Sequence, residues 1–249
     1  MKKIRAMSPR TLARIAFVLG FLEGTPSVWG ELRIPGMLVV STDAAATAAN
    51  ILANESLFRL GLALGVLAVA FNIARTPVLY VLFRPVGRIA ALLMAFFALI
   101  AIALQAGSIL LELPVLVVLK SGKDFGAFSA EQLQSLGLLF LRWNGQAFNL
   151  YLAFFGILCM IVGVIICKST FLPRILGVLE FLAGLGYATY LWPPLANALY
   201  PYNLALGVGE LALGFWLLVF GVNVERWNEQ ARATKLLEAQ RAGEGRESE

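Results

Sequence analysis

Runs of about twenty predominantly apolar residues recur along this chain, at roughly Leu12 to Trp29, Leu57 to Phe83, Ile89 to Leu119, Gln146 to Cys167, Phe171 to Trp192 and Asn203 to Val224. Each is long enough to cross a hydrocarbon core of about 30 Å as a helix rising about 1.5 Å per residue. The pattern predicts an all-α, polytopic integral membrane protein, a bundle of six transmembrane helices with two outer amphipathic segments. Those segments are Ser41 to Leu60 and Phe128 to Trp143. One opens with Thr42-Asp43, the other with Ser129 three residues before Gln132, a capping-box spacing. The opposite connections are short and carry proline: Phe83-Arg84-Pro85-Val86-Gly87-Arg88 and Phe171-Leu172-Pro173-Arg174. Aligning Pro85 with Pro173 superposes an amphipathic segment, a descending span, a Pro/Arg turn and an ascending span twice, a weak parallel repeat.

Three regions follow: a basic arm over 1–11, the bundle over 12–224 and a polar tail over 225–249, helical to about Ala242, with Trp227 at the interface. The first run follows the basic arm without a small-residue cleavage site, so it reads as a retained span and not a signal peptide.

Composition sharpens this reading. The chain is 59% hydrophobic and only 14% charged, with a mean hydropathy of +0.80, which excludes an ordinary soluble domain, where about a quarter of residues are charged. With no histidine, the commonest metal ligand and general base are missing, and His-ligated haem, His-containing zinc sites and Ser-His-Asp chemistry go with them. Cys159 and Cys167 share one predicted helix about 12 Å apart, too far for a disulfide, and read as small core residues. No cofactor and no metal site is expected.

The net charge of +5 points to topology and not to nucleic acid. Lys2, Lys3, Arg5, Arg10 and Arg14, the turn residues Arg84, Arg88, Lys168 and Arg174, and the tail residues Arg226, Arg232, Lys235, Arg241 and Arg246 fall on one side of the six spans. The other side holds only Arg33, Arg59, Lys120, Lys123 and Arg142. The richer side is cytoplasmic by the positive-inside rule, so both termini are expected in the cytoplasm.

Four stretches carry a family resemblance: Asp43-Ala44-Ala45-Ala46-Thr47-Ala48-Ala49-Asn50-Ile51-Leu52-Ala53, Leu82-Phe83-Arg84-Pro85-Val86-Gly87-Arg88, Phe128-Ser129-Ala130-Glu131-Gln132-Leu133-Gln134 and Phe171-Leu172-Pro173-Arg174-Ile175-Leu176-Gly177. In these the chain resembles bacterial membrane proteins of domain-of-unknown-function family 4386. The resemblance implies a multi-pass helix bundle of the bacterial plasma membrane and no assigned activity. Where family members often carry histidine and aspartate at the start of the fourth span, this chain reads Arg142-Trp143-Asn144-Gly145-Gln146-Ala147-Phe148-Asn149, and a further family histidine falls on Leu158. Any metal, haem or proton chemistry resting on those groups is closed to this member.

Ionisable residues inside a span are costly and mark partners, cavities or sites. Here they are Glu23, Arg75, Glu112, Glu180 and Glu210, with Asn72, Gln105 and Asn149 as neutral company. Three acids follow a glycine by three residues, at Gly20/Glu23, Gly177/Glu180 and Gly207/Glu210, so that the carboxyl shares a helix face with a notch for a neighbouring backbone. The faces extend through Gly184 and Tyr187 in the fifth span and through Gly214 and Gly221 in the sixth. Arg75 and Glu180 both sit roughly 12 to 14 Å from the proline turns, a depth that permits pairing, and Glu23 and Glu210 share a level in the outer half.

Glu23, Arg75, Glu180, Glu210 and Asn149 are therefore the candidates for a ligand site or ion path. The packing reading, in which acids hydrogen-bond across close helix contacts and Arg75 neutralises one of them, weighs more than a pathway. The leading expectation is a non-enzymatic membrane component with structural, complex-associated or lipid-binding roles, its partners being the bilayer and a bound lipid or a larger complex. A small proton- or cation-linked transporter or channel is the first alternative, and a membrane enzyme acting on a lipid the second.

Overall fold

Ser129 and Gln132 open the longest helix of the structure by the reciprocal exchange that their spacing predicts. The Ser129 amide donates to Gln132 Oε1 at 2.8 Å, and the Gln132 amide donates to Ser129 Oγ at 3.3 Å. Helices of this kind make up the computed structural model, which describes residues 7–120 and 126–247, with backbone alone for 241–247. Lys2, Lys3, Arg5 and Lys123 lie outside the described residues.

In chain order the helices are α1 (Pro9–Ser27), a π-helical turn (Val28–Arg33), α2 (Ile34–Leu38), α3 (Ala44–Ala53), α4 (Glu55–Phe83), α5 (Arg88–Lys120), α6 (Ala130–Lys168), α7 (Arg174–Ala188), α8 (Pro193–Leu199), α9 (Tyr202–Ala205), α10 (Val208–Val219) and α11 (Val224–Glu247). No strand occurs among the described residues. Among the described residues, five segments are long and apolar enough to cross a membrane: Glu55–Val86, Arg88–Lys120, Ala130–Lys168, Arg174–Leu191 and Tyr202–Val219. The chain is thus an all-α, membrane-embedded protein.

Three sequence expectations are refined. The segment Phe128 to Trp143 is not a separate amphipathic piece: α6 runs unbroken for 39 residues from its capping box to Lys168, because nothing between Ala130 and the apolar run breaks a helix. The first run does not end at Trp29 but continues through the π-turn to Leu38. The sixth ends at Val219 instead of Val224, where Gly221 takes a left-handed φ of +67° that a side chain would resist.

The described chain divides into two compact units. The first takes the chain up to Gly20, Ala74–Ile100 and everything from Leu152 onward; the second takes Phe21–Ile73 and Ala101–Tyr151.

In the first unit, α6 and α7 approach until their backbones touch. A methyl group built on Gly163 stands 2.6 Å from the Gly177 carbonyl oxygen, and one on Gly177 stands 2.6 Å from that of Gly163. Two turns along, Gly156 and Gly184 repeat the contact, at 2.6 and 2.5 Å from each other's carbonyl. The polar tail folds back as α11. Its Trp227 indole donates to the Leu82 carbonyl at 2.8 Å, its Thr234 hydroxyl to the Pro85 carbonyl at 2.7 Å, and its Gln230 Oε1 accepts from the Thr170 amide at 3.0 Å. One amphipathic helix therefore joins both proline turns by bonding the carbonyls and amides that the turns leave free.

In the second unit, Ile34, Leu38, Ile51, Phe58, Val115, Leu116 and Leu141 form an apolar core. Asp43 caps α3 by accepting from the Ala46 amide at 2.9 Å, and Arg142 reaches the Ser41 carbonyl at 2.8 Å. Gly30 sits against the backbone of α4, where a methyl would lie 2.6 Å from the Gly61 carbonyl oxygen. The Gly61/Gly65 pair thus serves a contact within the chain, as small residues spaced four apart commonly do.

Candidate functional site

Each unit gathers a set of polar side chains between its helices, some buried and some half-buried. In the first, α4 supplies Arg75, α6 supplies Cys159, α7 supplies Glu180 and Tyr187, and α10 supplies Glu210. Arg75 Nη1 lies 4.0 Å from Glu210 Oε1. The Tyr187 hydroxyl donates to Glu210 Oε2 at 3.4 Å, and the Phe155 ring packs against the Tyr187 ring at a tilt of 58°, centroids 5.5 Å apart. Glu180, only 4% exposed, meets the Cys159 thiol and stands within electrostatic reach of Arg75 and Glu210. Its second oxygen, Oε2, is buried without a hydrogen-bond partner among the described residues.

The expected Arg75–Glu180 ion pair is corrected: the close pairing runs to Glu210. Depth along a helix fixes only the axial coordinate, and rotation about the axis turns Glu180 towards α6, where Cys159 occupies the facing position. Cys159 in turn has a polar neighbour beyond its apolar packing, and Cys167 points its sulfur at the Arg174 carbonyl, 3.6 Å away.

Glycines shape this set. A methyl on Gly20 would lie 2.9 Å from the Arg75 guanidinium carbon, and one on Gly207 would lie 2.6 Å from the Tyr187 hydroxyl. A methyl on Gly209 would run into the Leu179 carbonyl, and one on Gly214 would stand 3.2 Å from the Phe17 ring. The predicted glycine faces of α7 and α10 thus do turn towards other helices, and they bring the charged groups with them.

The second set is built on the π-turn. Such turns insert a residue into the helical register and recur at functional positions. Here the turn carries Glu31 and places Ser27, Gly30 and Ile34 on a buried face. Glu31 Oε2 accepts from the Ser27 hydroxyl and from Gln105 Nε2 at 3.0 Å. Ser108 donates to the Gln105 carbonyl at 2.7 Å, and Asn144 donates to the Ser108 carbonyl at 3.0 Å. Glu112 is buried within electrostatic reach of Glu31.

Gln105 and Glu112 fall inside a span predicted from the sequence, whereas Glu31 lies beyond the apolar run that ends at Trp29. The signal that finds it is local: Ser27 and Glu31 are spaced i, i+4, between Pro26 and Pro35, neither of which offers an amide hydrogen to a regular helix. Glu23 is buried and belongs to the second unit. Asn149 is half-buried on α6, also in the second unit, and no hydrogen bond of its side chain occurs among the described residues.

Chemically the first set offers two carboxyls, a phenol, a thiol and a guanidinium. A nucleophile must reach its substrate, and Cys159 is 2% exposed, enclosed by helices on the side where Glu180 lies. This geometry does not support covalent catalysis. Among the described residues no group of three or more Cys, Asp or Glu side chains is placed to hold a metal ion.

The sequence profile of a domain of unknown function (DUF4386) matches residues 15–221, from the first turns of α1 to the glycine turn after α10. No curated protein and no solved structure matches the chain.

Proposed function

Starting from the premise that the chain belongs to the DUF4386 family, we propose that it is a non-enzymatic structural component of the bacterial plasma membrane. In this reading it is a six-span bundle over 12–224, with the arm over 1–11 and the tail over 225–249 both in the cytoplasm. Its Arg75–Glu210–Glu180 set acts as a packing lock, and its partners are lipids or a larger membrane complex.

The observation that carries the reading is the company the charges keep. Gly207, just before α10, and Gly209 within it approach Tyr187 and the backbone beside Glu180 more closely than any side chain would allow. Interfaces inside membranes rely on such small residues for close packing, with polar side chains bonding across the contact. A sixth span is supported by the continuous helical run from Pro9 to Leu38, which turns Leu12, Ala16, Ile34 and Leu38 inward while Val18, Phe21, Val28 and Leu32 are exposed as lipid-facing residues would be.

The lock is tested by unfolding in detergent. Glu210→Gln is expected to lower stability by about 1 to 3 kcal/mol, since it removes the charge facing Arg75 and leaves a single oxygen to accept from both the guanidinium and the Tyr187 hydroxyl. Unchanged stability would count against the lock. Topology is tested with a membrane-impermeant thiol reagent, using the parent protein as blank. A cysteine at Lys123 is expected to label in intact cells and one at Lys235 only after permeabilisation. Labelling of position 235 in intact cells would overturn the orientation.

A second reading, a proton or cation path, is favoured by one observation: two carboxyls face one guanidinium in the first set, and an oxygen of Glu180 has no hydrogen bond among the described residues.

A further inference from the structure

Between α11 and the end of α4 runs a groove of about 310 Å³. Its walls include Val81, Arg84, Trp227, Arg232, Lys235 and Glu238. Three cations against one carboxylate leave it electropositive. Trp227 and Lys235 lie on one face of α11, eight residues apart and so about 12 Å along its axis. The groove is held open by the anchors already described, Trp227 on the Leu82 carbonyl and Thr234 on the Pro85 carbonyl. Because the indole N–H is engaged there, the rest of the Trp227 ring is left as an apolar surface.

We propose that this groove binds the phosphate of an anionic phospholipid. The two kinds of wall select a lipid over a soluble anion. Val81 belongs to the last turn of a helix long and apolar enough to span, so acyl chains lie on that side. Arg84 follows directly after α4, at the level where head groups meet a span and where basic and tryptophan side chains gather. Arg232 and Lys235 are exposed on α11 and free to turn their charged ends to a phosphate, and near an anionic surface each such cation contributes about a fivefold gain in affinity. The inference goes beyond the packing role proposed above and rests only on α4 crossing the membrane; the detergent titration reads lipid binding alone, so its failure is distinguishable from a failure of the packing reading.

The test titrates the full-length protein in neutral detergent with phosphatidylglycerol or phosphatidylcholine and counts bound lipid by native mass spectrometry. Phosphatidylglycerol is expected to bind at several-fold lower concentration. Arg232→Gln with Lys235→Gln is expected to weaken it by about tenfold to thirtyfold and to leave phosphatidylcholine unchanged. Glu238→Gln is expected to tighten it, a gain that a misfolded variant cannot produce. Arg33→Gln with Arg59→Gln removes the same charge from the second unit and is expected to bind as the parent does. Wild-type binding by the Arg232/Lys235 variant, an equal loss in the Arg33/Arg59 variant, or displacement of the lipid by soluble glycerol phosphate would each overturn the proposal.

Discussion

Leucine in place of Gly163 or Gly184 is expected to abolish the folded protein, and alanine to cost about 1 to 3 kcal/mol at either position, the range for overpacking a filled site. The reason is reciprocal contact. Gly156 and Gly163 on α6 face Gly184 and Gly177 on α7, seven residues apart on each helix, so that two turns, about 10.5 Å, separate equivalent contacts on the same interface. At each of the four positions a methyl carbon would lie 2.5 to 2.6 Å from a carbonyl oxygen of the opposite helix, closer than carbon and oxygen can stand. Backbone cannot step aside as the end of a side chain can, so the helices must separate, and every contact between them loosens together. In a bilayer the loss is not offset by water, because helix association there depends on packing and interhelical hydrogen bonds. Gly107 on α5 supplies the control: a methyl there meets nothing within 4 Å, and Gly107→Ala is expected to be neutral or to stabilise by up to about 1 kcal/mol through helix propensity. Unfolding titrations in mixed micelles measure all of these. Wild-type stability in Gly163→Leu would contradict the contact.

Arg75→Leu is expected to be the most damaging change among the charged residues, by about 3 to 5 kcal/mol, because it strands the Glu210 and Glu180 carboxyls without their cation. Adding Glu210→Leu to it is expected to restore part of the loss, so that the double variant is more stable than the sum of the single changes by about 1 kcal/mol or more. The sign matters more than the size. A buried ion pair is often worth little against an apolar replacement, yet breaking it from one side is costly. The same cycle with Glu180→Leu is expected to give a smaller coupling, since Glu180 is held by Cys159 and lies beyond the closest approach of the guanidinium. Additive losses for Arg75 and Glu210 would show that the 4.0 Å pair contributes nothing to the fold.

Much of this architecture was legible in local residue patterns. The capping box at Ser129 and Gln132, the Asp43 cap and the proline turns each depend on a few adjacent residues whose preferences are strong, and all are found in place. The Gly–Glu spacing in α7 and α10 also pointed to a real face, because residues three apart lie on one side of a helix whatever it packs against.

What the patterns could not convey was rotation and register. Hydropathy stops the first run at Trp29, where Gly30, Glu31 and Arg33 interrupt the apolar pattern, although a π-turn keeps the chain helical through them. Equal depth suggested Glu180 as the partner of Arg75, but azimuth about the helix decided for Glu210. The sequence marks the tail as a polar helix with Trp227 at the interface and no more. Its role emerges only once Trp227, Gln230 and Thr234 are seen to bond the two proline turns, which lie 145, 60 and 149 residues away along the chain.

Whether Arg75, Glu210 and Glu180 hold helices together or carry ions is settled most directly in sealed vesicles. The purified protein is reconstituted with a pH-sensitive dye inside, a proton gradient is imposed with potassium and valinomycin to clamp the potential, and its decay is followed for the parent and for Glu210→Gln. A packing lock leaves both decays indistinguishable from that of protein-free vesicles. A parent protein that collapses the gradient, with Glu210→Gln restoring it, would contradict the structural reading and make the Arg75–Glu210–Glu180 set a pathway.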